Sequence, residues 1–335
     1  ALGTGQSSQT ACLAGTYNSN TGSTSSTACL DASSGHYVDQ TGQSSQTACL
    51  AGTYQPDTGQ TDCDDASAGY YVPSPGQSSQ TACLAGKYNP NTGSTGISAC
   101  LGASAGYYVD ASLGSGQSTQ TACLAGTFNP QAGATWNACI DAYAGYYVDQ
   151  TGQSTQTACL AGTYQSDTGQ TDCDDADAGY YVSTTAQSSQ TACLAGTYQA
   201  STGQTSCDDA DAGYYVPSTA QSSQTACSAG TYQANIGQAS CDDADVGYYV
   251  DQTGQSSQTV CATGKSTVTT KSTSILQCIP DTDDDGTVDV LDTDDDGDGV
   301  SDANDPFPLD ATETVDTDGD GTGDNADTDD DGDGV

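Results

Sequence analysis

Repetition constrains this chain more than any other feature. A glycine followed two residues later by an aromatic residue recurs through the first 280 residues, and from Gly145 to Gly247 the spacing is always 17. Two such half-units make a repeat of 34 residues. Units this short bury little surface alone, so neighbouring units must stack into an array. At Gly264 the pattern decays, which is typical of a terminal capping unit.

Composition sets the second constraint, because the chain has few large aliphatic side chains and a net charge of −41. Such a chain stays disordered unless cross-links or bound ions order it. The sequence contains 16 cysteines, no pair at Cys-x-x-Cys spacing, and one histidine, His36. These features favour disulfides over a metal–thiolate site, and they predict an extracellular or cell-surface location.

Several function classes are disfavoured by the sequence. Three lysines without arginine leave little charge to neutralise phosphates, so we expect no nucleic-acid partner. No apolar run is long enough to span a bilayer. His36 occupies a position filled elsewhere by Tyr70 and Tyr107, and acidic pairs such as Asp64 and Asp65 recur in register, so we expect no enzyme.

The repeats predict a small disulfide-rich fold of short β-strands and turns, without helix, extended into an elongated rod. Short runs such as Tyr70–Val72 are bounded by glycine, asparagine, aspartate or proline. The recurrent glycines predict either a backbone conformation denied to other residues or close packing beside a cystine. We expect the tyrosines and cystines to form the core; a carbohydrate-binding strip is the alternative.

Residues 12–278 resemble the ephrin-receptor-like cysteine-rich repeat, a relative of the tumour-necrosis-factor-receptor modules. The resemblance rests on Cys49-Leu-Ala-Gly-Thr-Tyr54, a Gly59-Gln60 turn and a closing Cys63. It implies a ladder of β-turn modules, each with its own disulfide. Here Ala66 and Gln80 replace a second cysteine pair, so only alternate half-units are stapled. The register that uses every cysteine pairs Cys12–Cys29, Cys49–Cys63, Cys83–Cys100, Cys123–Cys139, Cys159–Cys173, Cys193–Cys207, Cys227–Cys241 and Cys261–Cys278.

Composition changes abruptly at Asp281, and 23 of the 44 acidic residues lie in the last 55 positions. The spacing D-x-D-x-D-G-x-x-D-x-x-D recurs there in strict register, unlike a featureless acidic tail. Four acidic loops follow: loop 1 (281–292), loop 2 (294–305), loop 3 (316–327) and the start of loop 4 (329–335). Their motif aspartates are Asp281, Asp283, Asp285, Asp289 and Asp292; Asp294, Asp296, Asp298, Asp302 and Asp305; Asp316, Asp318, Asp320, Asp324 and Asp327; Asp329, Asp331 and Asp333.

Alternate carboxylates around a glycine turn suit calcium, which takes six to eight hard oxygen ligands. Residues 281–335 are similar to the thrombospondin type 3 repeat, and the resemblance implies that all of these aspartates are calcium ligands. Asp292 and Asp327, between adjacent loops, are placed to be shared by two ions. The segment lacks that family's cysteines, so we expect calcium to order it, with Phe307 and Leu309 packed over the loops.

The sequence therefore predicts tandem repeats over 1–280 and a calcium-binding segment over 281–335. We expect an extracellular structural fibre or stalk that is rigid with calcium and self-associates into a fibre or matrix. The alternative is the spacer or ectodomain of a surface adhesin or receptor-like protein. Ser/Thr-rich turns such as Gln43–Thr47 are either O-glycan sites or plain solvated turns.

Overall fold

The computed structural model of the chain describes residues 9–334. Residues 1–8 of the predicted repeat segment (1–280) and residue 335 of the predicted acidic segment (281–335) lie outside the described part. The described residues contain no α-helix, only two-residue strands, turns and four three-residue 3-10 turns, which confirms the predicted fold class. The described residues include no helix that is long and apolar enough to cross a membrane. The chain divides into two compact units, Ala1–Cys159 with Gln165–Cys173, and Leu160–Tyr164 with Asp174–Val335.

The strands of unit 1 form antiparallel hairpins within single half-units. The pairs are Thr16–Tyr17 with Leu30–Asp31, His36–Tyr37 with Thr47–Ala48, Thr53–Tyr54 with Asp64–Asp65, Tyr70–Tyr71 with Thr81–Ala82, Tyr107–Tyr108 with Thr121–Ala122, Thr127–Phe128 with Ile140–Asp141, and Tyr146–Tyr147 with Thr157–Ala158. The 3-10 turns span Ser26–Ala28, Ile97–Ala99 and Ala111–Leu113.

Unit 2 repeats the same hairpins up to the acidic loops. The pairs are Thr163–Tyr164 with Asp174–Asp175, Tyr180–Tyr181 with Thr191–Ala192, Thr197–Tyr198 with Asp208–Asp209, Tyr214–Tyr215 with Thr225–Ala226, Thr231–Tyr232 with Asp242–Asp243, Tyr248–Tyr249 with Thr259–Val260, and Lys265–Ser266 with Ile279–Pro280. A 3-10 turn spans Ile275–Gln277. The last hairpin keeps the fold where the sequence pattern decays, at Lys265–Ser266 and Ile279–Pro280.

Eight disulfides join the cysteines in the predicted sequential register, and the described residues include no free cysteine. The intervening half-units are closed by a glutamine side chain instead. In the half-unit of Gln80, its Oε1 accepts a hydrogen bond from the Ser67 amide at 2.7 Å, beside Ala66. The same bond recurs with Gln46, Gln120, Gln156, Gln190, Gln224 and Gln258. Covalent and hydrogen-bonded closures therefore alternate along the repeats.

The cystine part of the predicted core is confirmed, but the tyrosine part is wrong. The fully buried side chain of the Gly-x-Tyr-Val element is the valine, as at Val72 and Val216, while the tyrosines are only half-buried. Burial of a tyrosine ring must leave its hydroxyl hydrogen-bonded, whereas valine carries no such requirement. Each valine is accompanied by a buried alanine and one cysteine of each disulfide, such as Ala210 and Cys193. The core is therefore a row of small side chains instead of an aromatic stack.

Backbone hydrogen bonds link each half-unit to the next one in the chain. In unit 2 the Gly213 amide donates to the Gln233 carbonyl at 2.8 Å, and the Val216 amide donates to Gln238 at 3.0 Å. Gly213 has φ +87°, and a Cβ there would overlap the carbonyl oxygen of Gly254. The predicted left-handed backbone is confirmed, but the close contact is with the backbone of a half-unit two positions further along the chain and not with a cystine.

Candidate metal centre

The acidic loops are shaped by hydrogen bonds between aspartate side chains and the backbone two residues further on. In loop 2 the amide of Asp298 donates to Asp296 Oδ1 at 3.2 Å, and that of Val300 donates to Asp298 Oδ1 at 2.7 Å. The Gly299 amide donates to Asp294 Oδ2 at 3.0 Å, with the glycine at φ +94°. Such turns are a normal property of aspartate, and the left-handed glycine lets the chain fold back on the first carboxylate.

These turns bring the first three aspartates of each loop together. In every triplet, one carboxylate oxygen per residue lies within 4.8 Å of the others, an arrangement able to hold a metal ion. The triplets are Asp281, Asp283 and Asp285; Asp294, Asp296 and Asp298; Asp316, Asp318 and Asp320; and Asp329, Asp331 and Asp333.

The aspartates at the ninth motif position lie outside the triplets. Both oxygens of Asp289 accept from Thr282, from its amide at 2.8 Å and its hydroxyl at 3.0 Å. Asp324 is held by Thr317 in the same way, and Asp302 accepts from the amide of Asp295 at 2.9 Å. In the structure these carboxylates brace the second residue of their own loop.

The closing aspartates are also anchored to the backbone. Asp292 Oδ1 accepts from the Asp294 amide at 3.1 Å, and Asp327 Oδ1 accepts from Asp329 at 2.8 Å. Asp305 Oδ1 accepts from the Phe307 amide at 2.9 Å. Phe307 is half-buried, but Leu309 is 59% exposed, so the prediction that Leu309 packs over the loops is wrong.

Whether a cation fits these loops can be judged from buried carboxylate oxygens that have no hydrogen-bond partner. Asp281, Asp296 and Asp305 are buried, and each carries one such oxygen. The complete set is Asp281 Oδ1, Asp294 Oδ1, Asp295 Oδ1, Asp296 Oδ2, Asp298 Oδ2 and Asp305 Oδ2. An unpaired buried charge is strongly unfavourable, so a positive partner at these positions would stabilise the ionised loops. The ligands are all hard oxygens, the set that calcium prefers over softer metals.

The pKa shifts of three aspartates also indicate that their negative charge lacks a partner. Burial raises the pKa of Asp281, and the neighbouring charge of Asp283 raises it further. Burial likewise raises the pKa of Asp296, although the backbone amide of Asp298 counteracts the shift. For Asp295, burial raises the pKa first and the charge of Asp302 second. Each upward pKa shift indicates a carboxylate whose negative charge is poorly stabilised by the protein alone.

Loop 1 is joined directly to the last hairpin of the repeats. The Asp281 amide donates to the Gly264 carbonyl at 3.0 Å, and the Gly264 amide donates to Asp284 Oδ1 at 2.8 Å. Asp284 adopts φ +59°, and the Asp289 amide donates to the Pro280 carbonyl at 3.0 Å. The first loop therefore begins on a disulfide-closed platform.

Glu313 is a buried acid that the motif analysis missed. It is 6% exposed, its Oε2 accepts from the Asn325 amide at 3.0 Å, and it lies against Gly323. Loop 3 repeats loop 1 at an offset of 35 residues, and the position equivalent to Gly323 in loop 1 is Val288, which is 1% exposed. The glycine in place of a buried valine was the available signal that another side chain fills this space.

No known protein-family model matches the sequence, and no curated protein matches it. The repeated disulfide units and the acidic clusters are the features of an extracellular repeat protein. The aspartate triplets are compatible with calcium.

Proposed function

We propose that this chain is a non-catalytic extracellular structural protein, part of a fibre or stalk whose acidic segment is made rigid by calcium. The observation that carries the proposal is the convergence of aspartate triplets that include buried oxygens without partners, at Asp281 and Asp296. In this proposal the four triplets hold the ions, and Asp305 closes loop 2. Each ion brings two positive charges and cross-links residues of one loop.

A structural role is supported by the sameness of the repeats. Each 34-residue repeat uses a valine, an alanine and glycines in equivalent positions, which builds a spacer of any required length. His36 is half-buried and pairs in the sheet with Ala48, as Tyr70 pairs with Ala82. It is a repeat variant, and nothing around it supports a catalytic role.

Self-association is supported by exposed leucines at one register position. The residue after the first cysteine of a stapled half-unit is about seven-tenths exposed wherever it is leucine. These residues are Leu13, Leu50, Leu84, Leu124, Leu160 and Leu194. Identical apolar positions recurring with the repeat suit lateral contact between copies.

One observation favours the alternative role as the spacer of an adhesin or receptor-like protein. The half-unit that begins at Cys123 contains the chain's single tryptophan, Trp136, which is 68% exposed. Tyr143, 53% exposed, lies edge-on to Phe128 with ring centroids 6.0 Å apart. Exposed aromatic residues confined to one repeat suit a local partner better than a uniform lattice.

The test compares the full chain with and without excess chelator by small-angle scattering and limited proteolysis. We expect chelation to expand residues 281–334 and expose them to protease, because repulsion among uncompensated carboxylates opposes compaction. Replacement of Asp283, Asp296 and Asp318 by alanine should abolish most calcium binding.

The matched control replaces three exposed repeat aspartates that each follow a buried valine, Asp39, Asp149 and Asp251. This variant loses the same charge but should bind calcium normally. A segment that keeps its dimensions and protease resistance in chelator would refute the proposal.

A further inference from the structure

The four acidic loops differ in how well they exclude water, although their motif is the same. Five of the six buried, unpartnered oxygens found among the described residues belong to loop 2. Four are on the motif residues Asp294, Asp296, Asp298 and Asp305, and the fifth is on Asp295. Among the described residues of loop 3, no carboxylate oxygen is buried without a partner. Asp318 is exposed where its loop 2 counterpart, Asp296, is buried.

The difference has a structural cause in the segment that follows loop 2. Asp305 leads into Pro-Phe-Pro-Leu and Asp310, and this strap (305–310) places the backbone of Asp310 near the Asp296 carboxylate. The Phe307 amide donates to Asp305 Oδ1 at 2.9 Å, and the Asp310 amide donates to the Phe307 carbonyl at 2.9 Å, which fixes the strap as a turn. The equivalent residue of loop 3, Asp327, is followed by loop 4 after a single residue and has no strap. Asp305 is accordingly 7% exposed, while Asp327 is half-buried.

We propose that loop 2 is the calcium-selective site of the segment, and that loop 3 binds divalent cations weakly with little discrimination. This inference rests on the proposed calcium-binding function. Magnesium gives up its water reluctantly and usually keeps several water ligands, whereas calcium accepts a shell of protein oxygens at longer distances. Loop 2 offers four water-excluded oxygens on its motif residues, so an ion there must shed water to enter. An ion in loop 3 would keep part of its water shell, so the reluctance of magnesium to lose water would not disfavour it there.

The experiment is calorimetric titration of the full chain with calcium, alone and in the presence of millimolar magnesium. The variants are Asp296→Asn and the matched Asp318→Asn, which change one oxygen to an amide at the same motif position. We expect Asp296→Asn to remove the binding step that survives magnesium. We expect Asp318→Asn to remove a step that is about tenfold weaker and that magnesium suppresses.

A second pair of variants keeps the test decisive if Asp296→Asn disrupts the loop. Asp305→Asn removes the closing carboxylate of loop 2, and Asp327→Asn removes that of loop 3. Asp305→Asn should make the strongest calcium step sensitive to magnesium, and Asp327→Asn should leave that step unchanged.

The outcomes separate the two proposals. If Asp296→Asn and Asp318→Asn lose the same amount of calcium binding, only the selectivity of loop 2 is refuted. The same holds if magnesium displaces all bound calcium from the unaltered chain. If the unaltered chain binds no calcium, the proposed function itself is refuted.

Discussion

Removal of one disulfide tests whether the repeats are stabilised unit by unit. Cys193 and Cys207 are 14 residues apart, and Cys193 is fully buried. Closing a loop of about 15 residues stabilises the folded state by about 3 kcal/mol in the chain-entropy model. Replacing both cysteines by alanine should therefore lower the local free energy of opening by about 3 kcal/mol.

Hydrogen exchange read by mass spectrometry is the suitable assay, because a repeat array need not unfold in one step. The Ala210 amide, which donates to Gly196 at 2.9 Å, lies in the affected half-unit. Its protection should fall about a hundredfold, while amides two repeats away remain unchanged. The control is Leu194→Ala at the adjacent position, because this leucine is 70% exposed and should contribute little.

The same assay measures the hydrogen-bonded closure in the next half-unit. Gln224 Oε1 accepts from the Asp211 amide at 2.6 Å, and its Nε2 donates to Asp211 Oδ2 at 2.6 Å. Two exposed hydrogen bonds contribute about 1–2 kcal/mol, so Gln224→Ala should reduce local protection about tenfold. A loss equal to that of the disulfide variant, or loss of protection throughout the repeats, would contradict independent closure of the half-units.

Three further predictions follow from individual contacts. Gly213→Ala should destabilise its repeat by about 1–3 kcal/mol in local exchange, because alanine fits neither its φ of +87° nor the space beside the Gly254 carbonyl. The hydroxyl of Ser112 lowers the pKa of Asp110 below 3.8, so Ser112→Ala should raise it in an NMR titration. Because the folded-state pKa is depressed, the stabilisation of the adjoining 3-10 turn is present at neutral pH and disappears as the pH falls through that value. Replacing Cys261 and Cys278 by alanine should weaken calcium binding at loop 1 several-fold in calorimetry and leave loops 2 and 3 unchanged.

The disulfide register was predictable because the cysteines repeat with the chain. The core was not, because the sequence shows how many large side chains exist but not which of them find partners for their polar atoms. Val216 was overlooked among scarce aliphatics, yet it is fully buried, whereas Tyr214 and Tyr215 keep their rings half in water. Valine needs no hydrogen bond, so a single valine in each 34-residue repeat suffices for the buried row.

The candidate site was predictable to the level of the triplets. Spacing alone indicates that Asp294, Asp296 and Asp298 meet, because alternate residues of a tight turn point inward. It does not distinguish a ligand from a brace, since a carboxylate performs both roles with the same oxygens. Asp289 shows this limit, because its contacts with Thr282 emerge only from the folded loop.

The alternation of cystines with glutamine bridges has a mechanical consequence. Under tension, a segment closed by a cystine such as Cys193–Cys207 cannot lengthen without breaking a covalent bond. The half-unit closed by Gln224 can yield, because only hydrogen bonds hold it. Each glutamine-closed segment would release a short length of chain, while the cystine-closed segments on either side stayed intact. Each release would reverse on relaxation without redox chemistry, so the repeats would behave as an extensible tether with a built-in limit to its stretch.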